Sequence, residues 1–516
     1  MRLLVAALGF ALLAPAVRAD DPLAKRIEAI IDGPDYKQAR WGICVIDAKT
    51  GKTVYERDAE KLIVPASVTK LYSCAAALVA FGAEHKFVTP VYARGKLTEN
   101  GVLEGDLILV ASGDLAFGGR TAKDGKLAFK DRDHSYANGG LFDAELTDTN
   151  PTAALEDLAK QIRAAGIKEV SGEVLIDDRL FAAVQGTGSG PSSVSPIVVN
   201  DNMLDIVVTP GAKPGDRAKV SFRPETAAIA MDAEVTTGEA GGGTAIYLNS
   251  AGPTQFTVRG KIAAKGRTHI RSYPIDEPGW FARALFIEEL RKEGVRVQAA
   301  VARAAGTNLP AKEEYDRCKM VAEYTSPPLI EALKVTLKVS HNLYASTLPC
   351  LLAAKAGKTT LEAGLQEQRK ILKGLGVPVE TISFAGGAGG AAADCVTPKA
   401  TAILLRAMRK REDWPQYRDC LPVLGVDGTL AGVVPDDSPA KGKVFAKTGT
   451  LTWGDSFNNR GLLKSKALAG VMTTAAGREL ILALFVNDAP LPAGVGAQRE
   501  GKVLGKLCEV LYQSGK

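Results

Sequence analysis

The sequence predicts an α+β protein: a domain of helices around strands, interrupted by a long and mostly β insertion. Three observations lead there. At 516 residues the chain exceeds the size at which one hydrophobic core stops growing. Helical patterning, present near the N-terminus, resumes only in the second half of the chain. Between them, residues 91–271 change character to short alternating strands punctuated by glycine-rich loops.

Taken in order, residues 1–19 read as a signal peptide. Arg2 supplies the positive end, residues 3–14 the apolar stretch, and Val17-Arg18-Ala19 a small-residue cleavage site before Asp20. That apolar stretch is too short to span a membrane, and no later run reaches the length of a spanning helix, so the mature chain is expected to be exported and to lack a transmembrane segment. Residues 41–47 and 53–57 read as a hairpin leading into a helix at 68–80, which Pro65 introduces and Gly82 closes. The insertion carries strand patterns at 102–110, 170–176, 205–209, 219–222, 244–249 and 255–262, with loops at 186–196 and 238–244. Helical spacing returns at 280–293 and 328–337. Residues 467–474 and 479–487 read as adjoining strands around a turn at 475–478. The last stretch, 502–512, places Val503, Leu504, Leu507, Val510 and Leu511 at helical spacing. That pattern suits a helix packed on the preceding strands better than one lying on a membrane. The expected division is therefore 1–19 as leader, 20–90 with 272–516 as one split domain, and 91–271 as an insertion of two smaller domains.

Composition narrows the function classes. There are 64 basic and 58 acidic residues, a formal net charge of +6 that falls to about +4 when Arg2 and Arg18 leave with the leader. The charge is scattered, and no basic block calls for nucleic acid. Seven cysteines in an exported chain permit disulfides, yet Cys44 and Cys74 lie in apolar patterns that suit buried thiols, and a Cys395–Cys420 pair has no support beyond the count. No C-x-x-C or H-E-x-x-H occurs and the four histidines lack ligand spacing, so no metal and no cofactor is expected.

Chemistry concentrates in three short motifs whose order matters more than any one of them. Ser67-Val68-Thr69-Lys70 gives S-x-x-K, Ser340-His341-Asn342 gives S-x-N, and Lys447-Thr448-Gly449 gives K-T-G. S-x-x-K arises by chance about once or twice in a chain this long. Lys49-Thr50-Gly51 repeats the last triplet upstream of the serine, in the expected hairpin turn. On a helix Ser67 and Lys70 share one face, so a partly neutral lysine can take the hydroxyl proton. Standing alone, the pair reads as an N-cap serine with a solvated lysine. Ser340 could relay a proton between Lys70 and a leaving amine, and the Asn342 amide could hold a substrate carbonyl; alone, the motif is a polar turn. Residues 444–451 have strand character and could pair with an extended peptide. Lys447 and Thr448 would then meet a terminal carboxylate, Gly449 would permit close approach, and the Thr450 N–H would join the Ser67 N–H as oxyanion donors. Alone, the run is an ordinary edge strand. His341 is read as a neighbour of this chemistry and not a participant.

S-x-x-K, S-x-N and K-T-G in this order mark penicillin-recognising serine acyltransferases. The chain resembles the D-alanyl-D-alanine carboxypeptidase/endopeptidase family of class C low-molecular-mass penicillin-binding proteins. Besides the motifs, Pro65-Ala66 before the serine, Tyr324-Thr325-Ser326-Pro327-Pro328-Leu329 before S-x-N and Leu421-Pro422-Val423-Leu424-Gly425-Val426-Asp427-Gly428-Thr429-Leu430 before K-T-G are similar to family phrases. So are Ile176-Asp177-Asp178 and Val199-Asn200-Asp201-Asn202 in the insertion. The resemblance implies a β-lactamase/transpeptidase-like catalytic domain, an antiparallel sheet flanked by helices. It also implies hydrolysis of D-Ala-D-Ala ends or cross-links of peptidoglycan peptides through an acyl-serine, in the periplasm or cell envelope, with β-lactams as inhibitors. It makes Ser67 the nucleophile, Lys70 the base, Ser340 the proton relay, and Asn342, Lys447 and Thr448 substrate binders. Two departures stand out. His341 replaces the family's usual acid, and Gly386-Gly387-Ala388-Gly389 replaces an Asp-Gly-Ser-Gly segment before Thr397-Pro398. They keep a weakened envelope binding protein in view, separated from an enzyme by whether an acyl-serine forms. A β-lactamase is the other alternative, separated by rapid turnover of a cephalosporin; the long insertion argues against it.

Overall fold

Apolar residues run almost unbroken along residues 480–486, and a strand of that kind needs cover on both faces. The computed structural model describes residues 22–137, 143–185, 188, 192–301 and 308–514; the expected leader, and residues 186, 187 and 189–191 of the loop expected at 186–196, lie outside them. In it, Glu479–Pro490 is the central strand of a five-stranded antiparallel sheet. The strand order is Val444–Asp455, Arg460–Thr473, Glu479–Pro490, Arg40–Asp47, Thr53–Arg57. The two expected hairpins are both present, and Lys49-Thr50-Gly51 is the turn of the first, with Thr50 N–H bonded to Asp47 Oδ1.

Helices Pro22–Ile31 and Gln498–Tyr512 cover one face, burying Ile27, Ile31, Leu504, Leu507 and Leu511 against strand residues such as Leu482 and Leu484. The C-terminal helix thus packs on strands, as its spacing indicated. On the other face helix Thr69–Phe81 is surrounded by Leu329–Lys338, Asn342–Lys355, Leu361–Gly374 and Pro398–Arg409. Its residues Thr69 to Leu78 are all buried, which fits a helix apolar nearly all round.

A six-stranded sheet gathers strands of the expected insertion together with later ones. It is built on Val88–Leu97 and Val102–Val110, with helices Ala153–Ala164 and Pro278–Lys292 packed together beside it. Two three-stranded sheets follow, one of Lys219–Arg223, Met203–Thr209 and His269–Pro274, the other of Ala230–Gly238, Gln255–Ala263 and Ala245–Ser250. The strand pairing does not change at the expected boundaries of 91 and 271. Lys319–Thr325 returns to pair with Val88–Leu97, and Pro278–Lys292 shares the core of the insertion. Periodicity announces a helix or strand but not which non-local partner it joins. The strand pattern at 170–176 resolves into Glu169–Val170 and Val174–Asp177, broken at residues 171–173. The helix at Ala153–Ala164 and the strand at Ala230–Gly238 had no counterpart in the sequence reading. Among the described residues no helix is long and apolar enough to cross a membrane. All seven cysteines are free thiols, with Cys44 and Cys74 buried.

Candidate active site

The Ser67 turn is tied to the sheet before any chemistry enters. Asn487 on the central strand accepts from Val64 N–H through Oδ1 at 2.7 Å and donates to Val64 O at 3.1 Å. Ser465 Oγ donates to the same carbonyl at 2.7 Å. Pro65 follows, and Ala66–Val68 form a 3₁₀ turn ahead of the helix, with Ala66 at φ 45°. Ser67 therefore stands in a strained turn just before the helix. Among the described residues no side chain caps that helix, so Ser67 is not spent as an N-cap.

Lys70, fully buried one turn on, points its ammonium at three acceptors. Nζ lies 2.8 Å from Ser67 Oγ, 2.8 Å from Asn342 Oδ1 and 2.9 Å from the Ala388 carbonyl. Burial holds its pKa down to about 7, where a lysine is half neutral and able to take a proton at physiological pH. The carboxylate of Asp394 opposes the shift. Asp394 is itself buried, accepts from Ala385 N–H and Ala391 N–H at 2.9 Å each, and has its pKa raised by burial.

The segment 385–394 closes over the lysine by backbone alone. Gly387 O accepts from Ser73 Oγ at 2.9 Å, and Ala388 O from Lys70. At Gly389, φ is +90° and a Cβ would stand 1.9 Å from Ala66 O, so no side chain fits against the serine turn.

Lys447-Thr448-Gly449 lies on the edge strand of the sheet, beside the serine turn. A Cβ on Gly449 would meet Pro65 O at 2.5 Å. Farther back, Val444 O and Ala446 N–H bond outward to Leu424 N–H and Pro422 O. On an antiparallel edge strand the main-chain groups alternate with a period of two, so those of Thr448 and Thr450 also point outward, away from Arg460–Thr473. Lys447 is buried with Nζ on Thr448 O at 2.8 Å, and burial together with the charge of Lys70 holds its pKa well below that of a free lysine. Thr448 Oγ1 donates to Thr429 Oγ1 at 2.7 Å, and Lys466 donates to Thr450 Oγ1 at 2.8 Å.

The structure thus joins Ser67, Lys70 and Asn342 directly and sets Lys447, Thr448, Gly449 and Thr450 alongside. Ser340 sits at φ 65° on the turn before helix Asn342–Lys355, its carbonyl bonded by Tyr136 OH; among the described residues no hydrogen bond ties its hydroxyl to Lys70. Sequence reasoning missed the Ala388 carbonyl, Asp394 and Thr429. Asp394 is the lone acid in a Gly/Ala run, which was the available signal; a backbone carbonyl leaves none.

Asp133, His134 and Asp201 are close enough to suggest a cation site, but a cation of the chain is already there. The Arg120 guanidinium forks between Asp133 and Asp201, at 2.8 and 2.6 Å.

Over residues 23–503 the chain matches the profile of the D-Ala-D-Ala carboxypeptidase 3 (S13) family, and it belongs to that family. It is 28% identical over 456 residues to a D-alanyl-D-alanine carboxypeptidase of Actinomadura sp., covering 83% of this chain and 76% of that one. It is 23% identical over 463 residues to the D-alanyl-D-alanine carboxypeptidase DacB of Haemophilus influenzae, covering 86% and 85%. The crystal structure of penicillin-binding protein 4 from Haemophilus influenzae superposes with a TM-score of 0.69 at 20% identity, covering 94% of this chain and 99% of that one. That likeness shares the fold, and a complex of the same protein with a β-lactam gives a TM-score of 0.66. The protein is a serine-type D,D-peptidase acting on peptidoglycan, on the β-lactamase/transpeptidase-like fold.

Proposed function

We propose that Ser67 is the acylated residue and Lys70 its base, in an exported carboxypeptidase or cross-link endopeptidase that β-lactams inactivate. The observation that carries this reading is the 2.8 Å contact of the buried Lys70 Nζ with Ser67 Oγ, and the lowering of the lysine's pKa by burial accords with it. Ser67 Oγ attacks the carbonyl of the penultimate D-alanine as its proton passes to Lys70 Nζ. The C–N bond to the last residue breaks, and the leaving amine receives that proton by way of Ser340. Water then cleaves the acyl-serine, its proton returning along the same path. The Ser67 and Thr450 N–H groups face the developing oxyanion, and the outward main chain of the edge strand lets an extended peptide pair beside it. Asn342 binds the substrate amide while its Oδ1 holds Lys70. Thr448 and Lys447 take the terminal carboxylate, whose charge favours the ammonium form of Lys447.

Fluorescent penicillin labelling of the mature protein beside Ser67→Ala, followed by intact mass, tests this. A stable adduct on the wild type alone supports it. An adduct that forms and clears while drug is consumed points to a β-lactamase, and no adduct on folded protein refutes the assignment.

A further inference from the structure

Helix Asn342–Lys355 carries both the lysine's partner Asn342 and, just before it, Ser340. Its N-terminus rests on a buried ionic cluster contributed by the insertion. His341 caps the helix by accepting from Tyr344 N–H at Nδ1, 3.4 Å, which leaves the ring proton on Nε2. That nitrogen faces Asp201 Oδ2 at 3.4 Å. The ring stacks on Tyr344 at 3.9 Å, and Tyr344 OH donates to the other oxygen of Asp201 at 2.7 Å. Tyr136 holds the Ser340 carbonyl from the insertion side. Both flanks of the S-x-N turn are thus gripped by residues distant in the chain.

Asp201 is unusually fixed for a loop residue. It is the middle of three consecutive non-glycine residues at positive φ, Asn200 at 48°, Asp201 at 54° and Asn202 at 53°. Such backbone persists only where its surroundings over-determine it. Asn202 bonds Val199 N–H and Ile197 O, and Asn200 bonds Met203 O and Asp205. Arg120 and His134 both donate to Asp201 Oδ2, at 2.6 and 2.8 Å. Burial opposes charge throughout, yet Arg120 keeps Asp201 ionised, while the carboxylates of Asp205 and Asp201 raise His134 to about 10 and keep it cationic. Burial holds His341 down, so the ring faces Asp201 uncharged, its Nε2 3.4 Å from Oδ2 and short of a full hydrogen bond in this structure.

We propose that Asp201 is a positioning residue for the acyl transfer. Through His341 it fixes the S-x-N turn, and with it the Asn342 amide on Lys70 and the Ser340 hydroxyl. The insertion is then part of the catalytic apparatus and not an appendage of it. This rests on the assignment of Ser67, Lys70 and Asn342 made above.

His341→Asn keeps a good helix cap but cannot reach Asp201, whereas His341→Gln can present an N–H near the place of Nε2. The acylation rate and the preceding dissociation constant for a penicillin, normalised to labelled Ser67, separate positioning from loss of folded protein. His341→Asn is expected to slow acylation at least tenfold with a dissociation constant changed less than twofold, and His341→Gln to stay within threefold of wild type. Asp201→Asn should slow acylation like His341→Asn, and the double variant should be no slower than either single one, because both break the same link. Where Asp201→Asn does not fold, the His341 pair decides alone. Wild-type acylation in His341→Asn, multiplying effects in the double variant, or a loss confined to the dissociation constant would overturn the proposal. An unlabelled wild type would overturn the assignment of Ser67 and this proposal with it; a labelled wild type with unaffected variants overturns this proposal alone.

Discussion

If Lys70 is the base, acylation must follow its neutral fraction, and the structure fixes where that fraction changes. Burial brings the lysine to about 7. A lysine is neutral above its pKa, so the competent fraction is about 9% at pH 6, about 50% at pH 7 and about 91% at pH 8. The apparent second-order acylation constant should therefore rise about tenfold between pH 6 and pH 8 and then level off. A chromogenic cephalosporin followed by stopped flow, at constant ionic strength and with the labelled Ser67 fraction measured at each pH, reads that curve. Lys70→Arg supplies the comparator: its guanidinium stays charged at every pH, so acylation should fall about 10²–10⁴-fold with no recovery at high pH. A rate constant flat from pH 6 to 8, or one that climbs only above pH 9, would show that the proton goes elsewhere.

Neighbouring residues give further tests. Asp394→Asn removes the anion that favours the Lys70 ammonium, so the midpoint of the acylation profile should move below about 7; a midpoint that stays put or rises refutes that electrostatic link. Gly389→Ala would force a Cβ against Ala66 O at φ +90°, displacing the serine turn. Labelling should be lost, with a fall in stability of about 1–3 kcal/mol or more by denaturant melt. Asn487→Ala strips Val64 N–H of its partner in a partly buried setting, costing about 0.5–1.5 kcal/mol. Its thermal midpoint should drop and its acylation rate fall, and an unchanged rate would mean that Ser465 alone holds the turn. Leu71→Ala opens a cavity beneath the serine helix and should cost about 2–5 kcal/mol with acylation per labelled site nearly intact.

Much of this was legible because local patterns carried it. The 479–487 strand announced itself by a continuous apolar run, the C-terminal helix by Leu504, Leu507 and Leu511, and the serine helix by Pro65 and Gly82. The three motifs named most side chains that the fold gathers around Ser67. What stayed hidden was non-local. Nothing in residues 319–325 says that they close a sheet begun at Val88, and no spacing rule links Asn487 to Val64 or Asp201 to His341. His341 read as a neighbour of the chemistry, and with Ser340 it is one of the points where the insertion touches the S-x-N turn.

The glycine and alanine at 386–389 show why a changed motif need not mean a lost site. Seen as side chains, Gly386-Gly387-Ala388-Gly389 lacks an acid and a hydroxyl. What the site draws from this segment, however, is backbone: the Ala388 carbonyl on Lys70 and the Gly387 carbonyl on Ser73. Two constraints keep those carbonyls in place. Gly387 and Gly389 pass so near Ala345 O and Ala66 O that a Cβ would stand 1.9 Å away in each case, so both positions demand glycine. Asp394 then gathers the loop by accepting two of its N–H groups. The positions that changed character are those whose side chains Lys70 does not use, and the glycines that bring the loop to the lysine are present. A third acceptor at Lys70 keeps the amine directed at Ser67 and Asn342 without adding a negative charge, which would raise the lysine's pKa and cost it the neutral form.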